Sequence, residues 1–210
     1  SDWDSRWNQM PYGRGLGVAC SMYISGTASP IYPNDMPQSG VQLLGDRSGR
    51  ITVYCGASDI GQGSDGMLAY IVAEETGVNP DDVMVYSSDT DLTPVDLGAY
   101  SSRVTYMCGI AAKEAAGKLR AQMTAALAAH WEVPEDQIGV ALGSWYDKKD
   151  PGRQLPVKDV LVMTEAAAGC PLSVSGGYRT RNRNNRRGGN HRGRDQYDAR
   201  DARSERGVDA

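Results

Sequence analysis

At 210 residues the chain is long enough for one domain of ordinary size with a real core, and none of its apolar runs approaches a membrane span. The formal charge of −4 hides an asymmetry: residues 178–210 hold ten Arg against four Asp and one Glu, so they carry +5 and residues 1–177 carry −9. An acidic body offers no general surface for nucleic acid, and only the tail is basic.

The start, SDWDSRWNQ, is polar from its first residue, lacks an initiator Met and shows no secretory pattern. It reads as the middle of a longer protein, and the cytoplasm is the expected location. The four cysteines, Cys20, Cys55, Cys108 and Cys170, are widely scattered with no CxxC pair. Reduced thiols are expected, and no zinc or iron–sulfur site built from this chain alone.

Residues 1–14, with Pro11 and Gly13, read as a leading loop. Leu16–Ile24 places Val18, Cys20, Met22 and Ile24 on one face, the alternation of a strand. Ser25–Ser39 carries three prolines and reads as a loop. Strands follow near Val41–Leu44 and Ile51–Cys55, joined by Gly45-Asp46-Arg47-Ser48-Gly49, which has hairpin chemistry. Ser64 or Asp65 can cap a helix in which Leu68, Ile71 and Val72 share a face, ending at Gly77. Val83–Tyr86 is the next strand and Ser87–Leu97 a polar loop. Ser101 or Ser102 opens the longest helix, to about His130, its Ala111, Ala112, Ala115 and Ala116 suited to close packing on a sheet. Beyond Pro134 the pattern gives a strand at Ile138–Leu142, a loop through Pro156 and a helix at Val157–Ala168. Strand-then-helix units at this spacing predict an α+β fold of mixed α/β layers.

After Gly177 the composition changes. Residues 178–210 hold Val208 but no Leu, Ile or Met, too little apolar surface to order the segment. This Arg-rich tail reads as disordered, as the product of a shifted reading frame, or as an RNA-binding arm. The acidic body and the presence of only Tyr178 and Tyr197 for stacking weigh against nucleic acid as a partner.

Two glycine-bearing junctions carry the chemistry. Cys55–Gly66, CGASDIGQGSDG, sits between a strand and a helix, and Asp96–Arg103, DLGAYSSR, precedes the long helix. Glycine lets a ligand approach the main chain, and a helix start presents N–H groups and the positive end of a dipole. Two such junctions suggest a large anionic cofactor. Gly56–Gly61 fits GxxxxG, but Gln62 and Gly63 stand where a nucleotide-hydrolysing loop needs Lys and Ser/Thr. Gly13-Arg14-Gly15-Leu16-Gly17 is too short for a dinucleotide fingerprint. His130 and His191 have no triad or metal partner in view. Asp59, Asp65, Asp89, Asp91 and Asp96 can supply a general base, although loop aspartates more often cap turns. Arg103 can bind an anion or pair with a loop Asp.

The stretch from Gly56 to Leu119 resembles the molybdopterin-binding region of the xanthine dehydrogenase family's large subunits. The shared features are the GQG turn, the Val72-Ala73-Glu74 helix, the Ser88-Asp89-Thr90 step, a proline and a Gly-x-x-Ser-Ser-Arg helix start. Within the family, DLGAYSSR is most similar to the 4-hydroxybenzoyl-CoA reductase branch. The resemblance implies a molybdenum held by a pterin dithiolene, commonly as the cytosine dinucleotide, with no protein side chain on the metal. Gly61, Gln62 and Gly63 would face the pterin and metal, and Ala99, Tyr100, Ser101 and Ser102 would present backbone and hydroxyl donors. It further implies FAD and iron–sulfur centres on partner subunits and an aromatic or CoA-ester substrate, reductively dehydroxylated. The family's hydroxylases act instead on N-heterocycles, aldehydes or CO. The family's catalytic glutamate has no counterpart here, since Glu165 follows the GQG turn too closely. Residues 1–177 are therefore expected to be a partial cofactor-binding domain that does not turn over alone.

Overall fold

Along Val41–Leu43 and again along Ile51–Cys55 every second residue is sealed from solvent: Val41, Leu43, Ile51, Val53 and Cys55 are all fully buried. That period of two gives one apolar sheet face, which helices must cover. The computed structural model describes residues 3–21 and 39–179. In chain order these form α1 (Trp3–Asn8), β1 (Ser39–Gly45), β2 (Ile51–Cys55), α2 (Ser64–Thr76), β3 (Val83–Ser87) and α3 (Val104–Trp131). There follow β4 (Ile138–Ala141), β5 (Ser144–Asp147), β6 (Gln154–Pro156), α4 (Val157–Ala168) and β7 (Leu172–Tyr178). The expected α+β architecture of mixed layers is present.

The main sheet has the order β3-β2-β1-β7. β1 runs antiparallel to β2 and β7, whereas β2 and β3 are parallel, with α2 as the crossover. The long helix α3 lies on the buried face. Ala111, Ala112, Ala115 and Ala116 are fully buried, as their spacing predicts, and Leu119, Met123 and Leu127 continue the stripe. The approach is closest at Gly176 of β7, where a Cβ would stand 2.1 Å from the Ala111 carbonyl oxygen and 2.7 Å from Ala115 N. Only glycine fits there. A smaller sheet, β4-β5-β6, packs by Trp145, fully buried, whose Nε1 donates to the Thr76 carbonyl oxygen at 2.9 Å.

Several expectations are corrected. Trp3–Asn8 is a short helix within the expected leading loop, since Pro11 and Gly13 act only beyond it. Residues 16–21 form no strand, and Val18 is 71% exposed: alternation alone supplies no partner for the ladder. Residues 22–38 lie outside the described residues. α3 starts at Val104, because Ser101 and Ser102 have φ of 54° and 55°, which no right-handed helix accepts. β5 and β6 occupy the stretch read as a loop, and β7 runs to Tyr178, one residue into the predicted tail. Their brevity and glycines hid them. Residues 180–210, with the disorder, reading-frame and RNA readings placed on the tail, lie outside the described residues.

Candidate cofactor site

In the parallel pair β2–β3, Cys55 stands opposite Ser87. The glycine turn (residues 56–63, loop A) and the segment from Ser88 to Arg103 (loop B) therefore leave the sheet from the same level of the same edge. That edge is the C-terminal end of parallel strands, where open α/β sheets place their binding crevices. The foot of loop A touches the middle of loop B: a Cβ on Gly56 would sit 2.2 Å from the Pro94 carbonyl oxygen. A second tie runs from Ser87, whose Oγ donates to Asp65 Oδ2 at 3.0 Å.

Loop A folds around the Asp59 carboxylate. Asp59 Oδ1 accepts from the Gly61 and Gly63 N–H groups at 2.8 and 3.3 Å, and Oδ2 from the Asp65 N–H at 3.2 Å. These N–H donors hold the Asp59 carboxyl below the ordinary range. The expected anion-receiving helix start thus already carries an internal anion. Ser64 and Asp65 do not cap α2, because Gly63 occupies the cap position at φ 76° and Asp59 satisfies the donors. Gln62 also closes on the loop: its Oε1 accepts from the Ile60 N–H at 2.6 Å, while Nε2 donates to the Ser58 carbonyl oxygen and Ser64 Oγ, each at 3.0 Å. Over Gly61 and Gly63 the outer side is bare, and a Cβ at either would meet nothing within 4 Å. A flat ring system can reach this backbone, so the glycine pair fits the cofactor expected there.

Loop B is held from inside. Arg103 Nη1 donates to Asp96 Oδ1 at 2.5 Å, and the two side chains are 1% and 0% exposed. Arg103 thus pairs with a loop Asp, the second of its two readings. Burial pushes the Asp96 carboxyl up, but donation from Arg103, Gly98 and Ser39 outweighs it and holds the group below the ordinary carboxylate value. Ala99, Tyr100, Ser101 and Ser102 form the arc between, with the Arg103 guanidinium 5.9 Å from the Tyr100 ring centre. The consecutive left-handed serines are joined by Ser88 (φ 62°) at the loop's other end. Non-glycine residues in this region concentrate at functional sites.

Of the candidate bases, Asp89 accepts from the Asp91 and Leu92 N–H groups and Asp59 and Asp96 are engaged as above, the capping roles common for loop aspartates. Glu165 forms a two-pronged pair with Arg47 at 2.9 and 3.0 Å, which places it in a surface contact. His130 is an exposed residue in the last turn of α3. The sequence reading missed Ser39, which bridges Asp96 and Arg103 across 57 and 64 residues, a pairing with no local signal. All four cysteines are free: Cys55 and Cys108 are buried, Cys20 and Cys170 exposed. Among the described residues no group of acids, His and Cys could hold a metal ion, and no helix is long and apolar enough to cross a membrane. A cavity of about 390 Å³ lined by Tyr70, Glu74, Gly77 and Leu142 lies at the C-terminal end of α2, the end opposite loop A.

The sequence profile of the molybdopterin cofactor-binding domain matches residues 1–199. Over 113 residues, 53% of the chain, the sequence is 42% identical to the xanthine dehydrogenase molybdenum-binding subunit of Escherichia coli O157:H7, of which the match takes in 14%. Over 104 residues it is 38% identical to subunit gamma of the 6-hydroxypseudooxynicotine dehydrogenase complex of Paenarthrobacter nicotinovorans, covering 50% of this chain and 12% of that one. The chain thus spans a small part of the length of these relatives. The Cu,Mo-CO dehydrogenase structure superposes with a TM-score of 0.61 at 26% identity, over 67% of this chain and 18% of its own. Quinoline 2-oxidoreductase from Pseudomonas putida 86 shares the fold, with a TM-score of 0.59 over 68% of this chain and 19% of its own, at 24% identity. The chain belongs to the molybdopterin cofactor-binding domain family, as the molybdenum-binding domain of the xanthine and CO dehydrogenase group.

Proposed function

We propose that this chain supplies the cofactor-facing loops of the large subunit of a molybdenum-dependent oxidoreductase. Gly61, Gln62 and Gly63 meet the pterin from one side and Ala99, Tyr100, Ser101 and Ser102 from the other. The observation that carries this reading is the departure of both loops from the level Cys55–Ser87 pair of two parallel strands. When bound, the molybdenum cofactor supplies two-electron oxygen-transfer chemistry. The protein's part is to bind and orient: bare glycine backbone admits the rings, and loop B presents fixed backbone dipoles to negative charge. The cytosine dinucleotide form, FAD and iron–sulfur partner subunits, and a cytoplasmic setting complete the reading.

For the substrate, the DLGAYSSR loop supports reductive dehydroxylation of an aromatic CoA thioester such as 4-hydroxybenzoyl-CoA. A second reading, hydroxylation of an N-heterocycle, is favoured by the 42% identity to a xanthine dehydrogenase subunit. The test is to purify the complex containing this chain and measure its molybdenum and pterin content. It is then assayed with 4-hydroxybenzoyl-CoA plus a low-potential donor, and with xanthine plus an acceptor. Molybdenum and pterin in stoichiometric amount support the cofactor reading, and their absence overturns it. Turnover of one substrate but not the other decides between the two reactions.

A further inference from the structure

A buried ion pair gives little net stability, because desolvation of both charges offsets their attraction and an apolar pair of similar volume would serve as well. Asp96 and Arg103 are nonetheless sealed inside the domain, so another role is called for. Their contacts are directed at the loop between them. The Gly98 N–H donates to Asp96 Oδ1 at 2.8 Å, and Arg103 Nη1 donates to the Gly98 carbonyl oxygen at 2.6 Å. Arg103 Nη2 donates to Ser39 Oγ at 2.6 Å and to Asp96 Oδ2 at 3.3 Å. Ser39 Oγ and Cys108 Sγ donate in turn to Asp96 Oδ2 at 2.7 and 3.3 Å. The network thus binds the middle of loop B to its Arg103 end, to the first residue of β1 and to the second turn of α3. Within the closed arc stand Ser101 and Ser102, both at positive φ, a conformation that L-residues leave unless the surroundings impose it.

We propose that Asp96 and Arg103 are positioning residues for the cofactor: their buried pair holds Ser101 and Ser102 in the left-handed backbone with which loop B meets the pterin. The inference rests on the molybdopterin reading above. Its test uses the complete complex with Arg103→Lys, with Ser101→Gly plus Ser102→Gly, and with all three changes. Lysine keeps the charge but cannot reach Asp96, Ser39 and the Gly98 carbonyl together. Should Arg103→Lys fail to fold, Ser39→Ala takes its place, loosening the network while keeping the pair. Two quantities are read, amide hydrogen exchange across residues 97–103 and molybdenum per folded chain.

With the serines present, the expected result is exchange faster by roughly tenfold and a loss of molybdenum per folded chain. With the glycines present, which adopt the left-handed backbone without restraint, the same change accelerates exchange less. Equal acceleration in both backgrounds overturns the proposal, as does full molybdenum in a variant whose loop B exchanges freely. Absence of molybdenum from the unaltered complex is a different outcome. It sinks the underlying molybdopterin reading, and it is seen before any substitution is made.

Discussion

Gly56 and Pro94 meet backbone to backbone: a Cβ on Gly56 would stand 2.2 Å from the Pro94 carbonyl oxygen and 3.0 Å from Asp96 N. The contact fixes the distance between the root of loop A and the middle of loop B, and no flexible side chain stands there to give way. Gly56→Ala must therefore displace loop B or the end of β2. Overpacking of this kind costs about 1–3 kcal/mol. Chemical denaturation should show a lowered midpoint with an unchanged slope. A variant as stable as the parent would mean that the loops do not meet at this point.

Asp65 runs opposite to its neighbour Asp59. Burial pushes its carboxyl above the ordinary value of 3.8; donation from Ser87 opposes this and the Asp59 charge adds to it. Its Oδ1 is buried and accepts no hydrogen bond among the described residues. A carboxyl whose folded value is raised stabilises the fold fully below its unfolded value, and loses that contribution as pH rises through the folded one. At neutral pH the ionised Asp65 is thus a cost. Asp65→Asn, still able to accept from Ser87, should stabilise the protein at pH 7 by less than about 1 kcal/mol after solvent screening. The gain should vanish as pH falls below the carboxylate range. Urea midpoints at pH 7 and pH 4 check the sign, and a gain larger at the lower pH would contradict it.

Trp145 joins the small sheet to the end of α2. Its indole N–H satisfies the Thr76 carbonyl oxygen, and the next residue, Gly77, accepts from the Gly143 N–H at 2.7 Å. Trp145→Phe keeps an aromatic ring but leaves the Thr76 carbonyl without its donor, at a cost of about 1–3 kcal/mol. Trp145→Ala adds a cavity and should cost about 3–5 kcal/mol. Equal losses in the two variants would show that the hydrogen bond alone matters here.

What the sequence made legible follows from the reach of its signals. Helices α2, α3 and α4 and strands β1 to β3 carry apolar periodicity over whole elements, and the structure places them within a few residues of expectation. β7 was invisible because Gly176 and Gly177 argue against a strand, while the reason for Gly176 is the α3 backbone pressed against it. At the site, glycine content pointed to loop A. The occupant of its N–H groups, Asp59, is a choice among five nearby aspartates that composition does not make. Ser101 and Ser102 have the side chains of helix caps, so propensity put them in the helix. The Asp96–Arg103 pair, with Ser39 bridging it from far along the chain, holds them outside it.

Gln62 is the residue on which loop A closes, and all of its amide's bonds described above are internal. Both Nε2 hydrogens are committed, to the Ser58 carbonyl oxygen and to Ser64 Oγ. For Gln62 to donate to a bound cofactor, one of these must be released. The Ser64 hydroxyl is the easier to give up, since a hydroxyl can rotate to another acceptor and a main-chain carbonyl cannot. Gln62→Ala removes both donors and the acceptor used by the Ile60 N–H in an exposed turn, so global stability should change by no more than about 0.5 kcal/mol. Amide exchange at residues 60–64 should nevertheless quicken, and the complex should hold less molybdenum per folded chain. Gln62→Glu should do worse than Ala, because it puts a second carboxylate beside Asp59. Full molybdenum retention in Gln62→Ala would remove Gln62 from the cofactor's surroundings, and loop A would then act through its glycine backbone alone.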